Sequence, residues 1–208
     1  MTAGSAQLGR PVGASGEQTR RRILTAAMRC VAELGYGQAS IREIARAAEM
    51  TSGSLYHYFA NKSDLLTATG EEIEDIVLPR LRTAVAQYDD VLDRLDAVLD
   101  ESRRLISDYP YMAGFLRAVR VESAIQSRRG SPTYPGSKAL RDVISAIVED
   151  ARARAVLSAD VDAAAAVEAI CALTRGLSQQ AASLPPEAYD ATLNSAKRMI
   201  RGALFVRT

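Results

Sequence analysis

Ser40-Ile41-Arg42-Glu43-Ile44-Ala45-Arg46-Ala47-Ala48-Glu49-Met50-Thr51-Ser52-Gly53-Ser54-Leu55-Tyr56-His57-Tyr58-Phe59, with Asn61-Lys62 behind it, is the stretch that decides the fold. Ser40 followed three residues later by Glu43 forms a capping box, hydroxyl to the Glu43 amide and carboxylate back to the Ser40 amide, so a helix starts there. Ile41, Ile44, Ala45 and Ala48 then recur at helical spacing as one apolar stripe, with Arg42, Glu43, Arg46 and Glu49 off it. Glu49-Met50 interrupts the pattern. Thr51 is a good N-cap for a second helix whose first turn, Ser52, Gly53 and Ser54, is small enough for close backbone approach.

Two short helices joined by a tight turn form the unit with which many proteins enter a DNA major groove. Leu55 and Phe59, four apart, would anchor the second helix to the core, leaving Tyr56, His57 and Tyr58 largely on other faces. A phenol or imidazole there can donate to a phosphate or stack on a sugar or a thymine methyl. The amides and hydroxyls of the first turn can meet a phosphate or reach base edges. Lys62 opens a further helix, capped by Asn61 with Asp64 at its third position, and is placed for a phosphate.

The run Gly35-Tyr36, Ser40 to Ala45, Gly53 to Phe59 and Lys62-Ser63-Asp64-Leu65-Leu66 resembles the DNA-binding domain of tetracycline-repressor-type (TetR family) regulators over about residues 17–66. The resemblance implies an all-α chain of about nine helices. A three-helix helix-turn-helix domain lies at the N-terminus, and a larger helical domain dimerises and holds a small effector. It places the DNA contacts on Arg42, Thr51, Ser52, Gly53, Ser54, Tyr56, His57 and Lys62. Ser52 departs from many relatives, which carry a basic or bulkier residue there, so fewer strong base contacts are expected from that position.

With 48% apolar and 25% charged residues the chain reads as a soluble globular protein. The net charge of +1 carries no global nucleic-acid signature, but its distribution is uneven. Residues 1–62 hold eight basic and four acidic side chains, against eighteen and twenty-one in the remaining 146. A basic head on a mildly acidic body favours one orientation on DNA. Cys30 and Cys171, each within an expected helix, read as reduced buried thiols, with a redox-sensing pair as the alternative. No apolar run approaches the length of a membrane span and no export signal is visible, which points to a cytoplasmic protein without membrane partners.

Residues 1–16, rich in glycine and without periodicity, are expected as a disordered arm. Arg10 and the run Arg20-Arg21-Arg22 could carry such an arm into the minor groove, or the run could be the solvated face of the first helix. The DNA-binding domain is assigned to 17–62 and the effector and dimerisation domain to 63–208. Helices are expected at 17–34, from 63 past Ile76, at 91–108, 111–127, 137–156, 161–182 and 187–205. Pro79 should end or kink the second of these near Leu78, and because Leu81, Val85 and Tyr88 resume the helical pattern a kinked connector is the preferred reading; 128–136 should form a loop. Ala166, Ile170, Leu173 and Leu177, with Leu193, Ala196, Ile200 and Ala203, repeat at coiled-coil spacing. The last two helices are therefore candidates for a four-helix bundle across a two-fold axis, with packing inside one subunit as the alternative.

The effector site is sought around Tyr109, Tyr111, Met112, Phe115, Leu116 and Val119, the aromatic and methionine cluster outside the DNA head, which suits an apolar guest. Arg103, Arg104, Arg117, Arg120, Glu122 and Arg175 are the candidates for polar contacts. Arg175 lies in an otherwise neutral stretch, and its burial would demand a carboxylate or an anionic ligand. One histidine, no metal-ligand spacing, no glycine-rich nucleotide loop and no nucleophile motif argue against an enzyme and indicate no cofactor or metal. The expected function is a ligand-responsive regulator, a repressor by family analogy, that binds a palindromic double-stranded operator as a homodimer and is released by a small apolar molecule. A helical DNA binder without effector is the alternative, and an enzyme the remoter one.

Overall fold

The computed structural model describes residues 12–127, 138–181 and 183–202. Nine helices and no strands are present among these residues: α1 (Val12–Leu34), α2 (Ile41–Ala47), α3 (Ser52–Tyr56), α4 (Lys62–Val85), α5 (Val91–Asp108), α6 (Met112–Ser127), α7 (Lys138–Ala153), α8 (Ala163–Gln180) and α9 (Pro186–Ile200). The all-α reading is correct. The expected 128–136 loop lies outside the described residues.

The head is built on α1, whose Ile23, Leu24, Ala27 and Val31 are buried against α2 and α4. Gly35 stops α1 in the left-handed conformation, φ 85°, a value that costs glycine little. At the far end α1 begins at Val12, so residues 12–16 are helical rather than part of an arm; residues 1–11 lie outside those described. Two glycines and no apolar stripe hide these residues from a periodicity argument, yet extending a formed helix needs only one further bond per residue.

α4 runs on through Pro79 to Val85, in line with the connector reading and not with an end near Leu78. Pro79 is exposed, so its ring sits on the solvent side, while Ile73, Val77 and Leu81 are buried on the other and hold the helix together across the missing donor. Glu74 of α4 caps α7, its two carboxylate oxygens accepting the amides of Lys138 at 2.8 Å and Ala139 at 2.5 Å. Burial raises the Glu74 pKa above its ordinary value, against the opposing pull of those two amides. Where α4 and α5 meet, the buried Glu101 carboxylate accepts from Arg80 at 2.6 Å and Arg104 at 2.9 Å.

α9 lies along α5, clipped by Arg103–Asp190 at 2.7 Å, Lys197–Asp100 at 2.6 Å and Arg201–Asp96 at 2.8 Å. Between them Leu99, Leu177, Leu193 and Ala196 make a small apolar cluster flanked by Leu173 and Ile200. The residues considered for a seam between subunits are therefore largely engaged inside one subunit; Ala203 lies outside the described residues. The helices leave other residues free: Ala165, Ala169, Ala172 and Gly176 on α8, and Ala188, Ala191 and Ser195 on α9, are exposed.

Candidate nucleic-acid interface and effector cleft

The α2–α3 unit is set by its caps. Ser40 Oγ accepts the Glu43 amide at 3.2 Å, half of the capping box. The other half is replaced, because the Glu43 carboxylate turns to Arg46 at 2.6 Å. After α2 the chain closes with Met50 N–H on the Ala45 carbonyl and Glu49 N–H on that of Arg46, and Glu49 takes φ 54°. This pair of bonds around a left-handed residue fixes the turn before α3. Thr51 Oγ1 accepts the Ser54 amide at 3.1 Å and shares a hydrogen bond with Ser54 Oγ at 2.9 Å.

α3 ends at Tyr56, sooner than the sequence pattern suggests. His57 and Tyr58 form a turn in which the Tyr58 amide reaches the Leu55 carbonyl at 2.9 Å, tightening the last turn. The division of faces is as expected: Leu55 is 0% exposed and Phe59 6%, against 53% for Tyr56 and 39% for Tyr58. His57, Thr51, Gly53 and, on α2, Arg42 are exposed, and Ser52 and Ser54 are half-buried. Arg20 of α1 stacks over the Phe59 ring at 5.6 Å, adding a positive charge beside the same face.

Lys62 is differently placed from a free surface lysine. Its ammonium donates to the Tyr36 carbonyl and, at 3.4 Å, to that of Gly37, and lies 4.7 Å from the centre of the Tyr36 ring. Burial draws its pKa below the ordinary lysine value. Three donors leave one N–H for a further acceptor.

In the body, α4, α5, α6, α7 and α8 enclose a narrow cleft of about 90 Å³, open to solvent. Its walls are Val77 and Leu81 of α4, Leu105 and Ile106 of α5, Met112 and Leu116 of α6, and Leu140 of α7. Arg117, Arg120 and Arg175 also line it, with Ser102, Thr174, Ser178 and Gln179. A larger surface cleft beside it shares Ile106, Ala113, Arg117, Ser178 and Gln179 and is lined by Tyr111.

Of the residues expected in the effector site, Met112, Leu116 and Arg175 line the cleft. Tyr109, Phe115 and Val119 do not: Phe115 and Val119 are buried in the core, and Tyr109 packs against it. The reason is the angular position on α6, whose other side lies against α1. Gly114 marks the close approach there, since a Cβ on it would stand 2.9 Å from Ala32 Cβ. Arg103 and Arg104 are engaged by Asp190 and Glu101. Val77, Leu81 and Leu140 were missed, because in sequence they are ordinary members of apolar stripes.

An all-helical body behind a helix-turn-helix head with exposed tyrosines defines a DNA-binding protein of the helix-turn-helix class. Residues 23–69 match the sequence model of the family described as bacterial regulatory proteins, tetR family. The chain is 35% identical over 86 residues to the HTH-type transcriptional regulator BetI of Stenotrophomonas maltophilia (strain R551-3), a match covering 39% of this chain and 42% of that protein, less than half its length. It is 26% identical over 165 residues to the HTH-type transcriptional regulator UidR of Escherichia coli (strain K12), 77% of this chain and 80% of the relative. The transcriptional regulator FadR from Bacillus subtilis, solved in complex with stearoyl-CoA, shares the fold with a TM-score of 0.71 at 18% identity, over 89% of this chain and 99% of that one. The match to the tetR family of bacterial regulatory proteins thus covers the head, residues 23–69, while the fold of the whole chain is the one seen in FadR.

Proposed function

We propose that the protein is a ligand-responsive transcriptional repressor that binds a palindromic operator as a homodimer and releases it when a small molecule with an apolar body enters the cleft between α4 and α8. The observation that carries this reading is the polarity of α3: Leu55 and Phe59 hold it to the core while Tyr56, His57 and Tyr58 stand in solvent. Thr51, Ser52, Gly53 and Ser54 lead into the major groove, Arg42 approaches the backbone from α2, and Lys62 gives its third N–H to a phosphate. Residues 17–62 serve as the reading head and 63–208 as the body.

The exposed small residues of α8 and α9 support dimerisation, because they allow two helix pairs to approach closely across a two-fold axis. The dimer places two heads about one helical turn apart on the operator. The cleft supports the effector, and a FadR body of the same fold that accommodates stearoyl-CoA supports a guest with an apolar chain. No enzymatic step is assigned: the relatives compared above are regulators.

The test is footprinting on the DNA flanking the protein's own gene, followed by fluorescence anisotropy on the protected sequence. Tyr56→Ala should cost about 1–3 kcal/mol of operator affinity if its phenol reads the groove. Protection by wild type that Tyr56→Ala and Arg42→Ala reproduce unchanged would refute the assigned interface.

A further inference from the structure

The charges lining the cleft are all of one sign. Arg117, Arg120 and Arg175 line it, and among the described residues no acidic side chain does. Arg175 is half-buried, and neither it nor Arg120 is joined to a carboxylate in an ion pair, although fourteen ion pairs occur elsewhere among the described residues. Glu168, two turns before Arg175 on α8, is ion-paired with Arg141 and is reached by the Arg175 charge only as a weaker, longer-range influence. Arg120 is exposed at the cleft rim, and partial loss of solvation, then the Arg175 charge, draw its pKa below the ordinary value. Three guanidinium groups at one cleft, the half-buried Arg175 among them, with the nearest carboxylate Glu168 paired to Arg141, leave an excess of positive charge that an anion would offset.

The neutral hydroxyls of the cleft are engaged within their own helices. Ser102 Oγ donates to the Val98 carbonyl at 2.7 Å, Thr174 Oγ1 to Ile170 at 2.9 Å and Ser178 Oγ to Thr174 at 2.9 Å. With their protons committed to their own helices, these hydroxyls offer a guest lone pairs only. The side-chain donors that remain are the guanidinium N–H groups and the Gln179 amide, so a guest head that accepts hydrogen bonds must find them at the arginines and Gln179 and not at these hydroxyls.

We propose that the guest carries an anionic head, a carboxylate or a phosphate, on an apolar chain, with Arg120 and Arg175 holding the head and Val77, Leu81, Met112 and Leu116 the chain. This deepens the effector reading above and rests on it, replacing a purely apolar molecule with an amphipathic anion.

The full-length protein is titrated calorimetrically with decanoate, decyl phosphate, decanol and decylammonium in the absence of DNA. At least one of the two anions should bind tenfold or more tightly than decanol, with decylammonium weakest, and the better anion identifies the head. Arg175→Gln and Arg120→Gln should each lower that anion's affinity about tenfold and leave decanol within twofold of wild type. Arg175→Lys should recover part of the loss, since a point charge replaces a planar fork. Decanol binding as well as both anions, no binding by either anion, or an anion preference intact in both glutamine variants overturns the proposal. Operator anisotropy in the presence of the preferred anion separates the two readings. If Arg-dependent anion binding leaves operator affinity unchanged, the site stands and the effector role falls.

Discussion

Gly114→Ala tests how tightly the cleft is joined to the DNA head. The added methyl would meet Ala32 Cβ at 2.9 Å and Ala32 Cα at 3.3 Å. Neither atom belongs to a flexible side chain, so the new group can be accommodated only by separating α6 from α1. Carbon atoms rest at about 3.5–4.0 Å, so the two helices must part by roughly 0.6–1 Å. Overpacking of this kind costs about 1–3 kcal/mol. Alanine regains about 0.8–1 kcal/mol of helix propensity over glycine, which leaves a net loss between about 0 and 2 kcal/mol. Urea unfolding of the full protein should show this as a lower midpoint at unchanged slope. A double-mutant cycle with Ala32→Gly should return a favourable coupling, because removing the Ala32 methyl vacates the space that the new one needs. A cycle with no coupling would refute the claim that α6 is seated directly on α1.

Lys62→Met keeps the aliphatic stem but removes the donor to the Tyr36 and Gly37 carbonyls; it should cost about 1–2 kcal/mol in urea unfolding. In a salt titration of operator binding it should also lower the slope by about 0.9, and an unchanged slope would leave Lys62 as a brace for the α1–α2 loop alone. Glu74 has a raised pKa, so its contribution to stability is fully present below the ordinary glutamate range and is lost as pH rises through the raised value. The stability of wild type relative to Glu74→Gln should therefore fall with increasing pH across that window in thermal unfolding, and a difference that rises with pH would contradict the assignment.

The head was legible because its signals are local. A cap, a stripe and a pair of apolar residues four apart lie within about twenty positions, and burial of Leu55 and Phe59 against exposure of Tyr56 follows from helix geometry alone. α5, expected over 91–108, is found at Val91–Asp108 for the same reason: Asp90 caps its start and Tyr109-Pro110 follows its end. The cleft was only half legible. Met112, Leu116 and Arg175 were singled out by composition, but which side of α6 meets α1 and which meets the cleft depends on a neighbour eighty residues earlier in the chain. Phe115 and Leu116 are adjacent in sequence, yet one belongs to the core and the other to the cleft wall. The same holds for α8, where Leu173 and Leu177 carry the stronger pattern but serve the subunit interior, while the weaker alanine stripe is the part left open.

The boundary near residue 62 divides roles but not packing. A single apolar core runs from Ile23 and Val31 in the head, through Leu65, Ile73 and Leu81 of α4, to Phe115, Ile147 and Cys171 in the body. The head is therefore not a bead on a linker, and a guest cannot release DNA by loosening a hinge. It must shift whole helices within a packed core, the small sliding motion by which close-packed elements rearrange. Two helices connect the cleft with the head. α4 places Lys62 beside the α1–α2 loop and Val77 on the cleft wall, about 22 Å apart at 1.5 Å per residue. α6 places Met112 and Leu116 on the opposite wall and Gly114 against Ala32. A guest that widens the cleft pushes these walls apart, and the contact at Gly114 leaves α6 no slack toward α1. Under the proposed function the displacement passes into α1, on which the core of the head is built, and changes the angle at which α3 meets the groove. Under the proposed function, loosening the α1–α6 contact should weaken the response to effector more than it weakens operator binding itself.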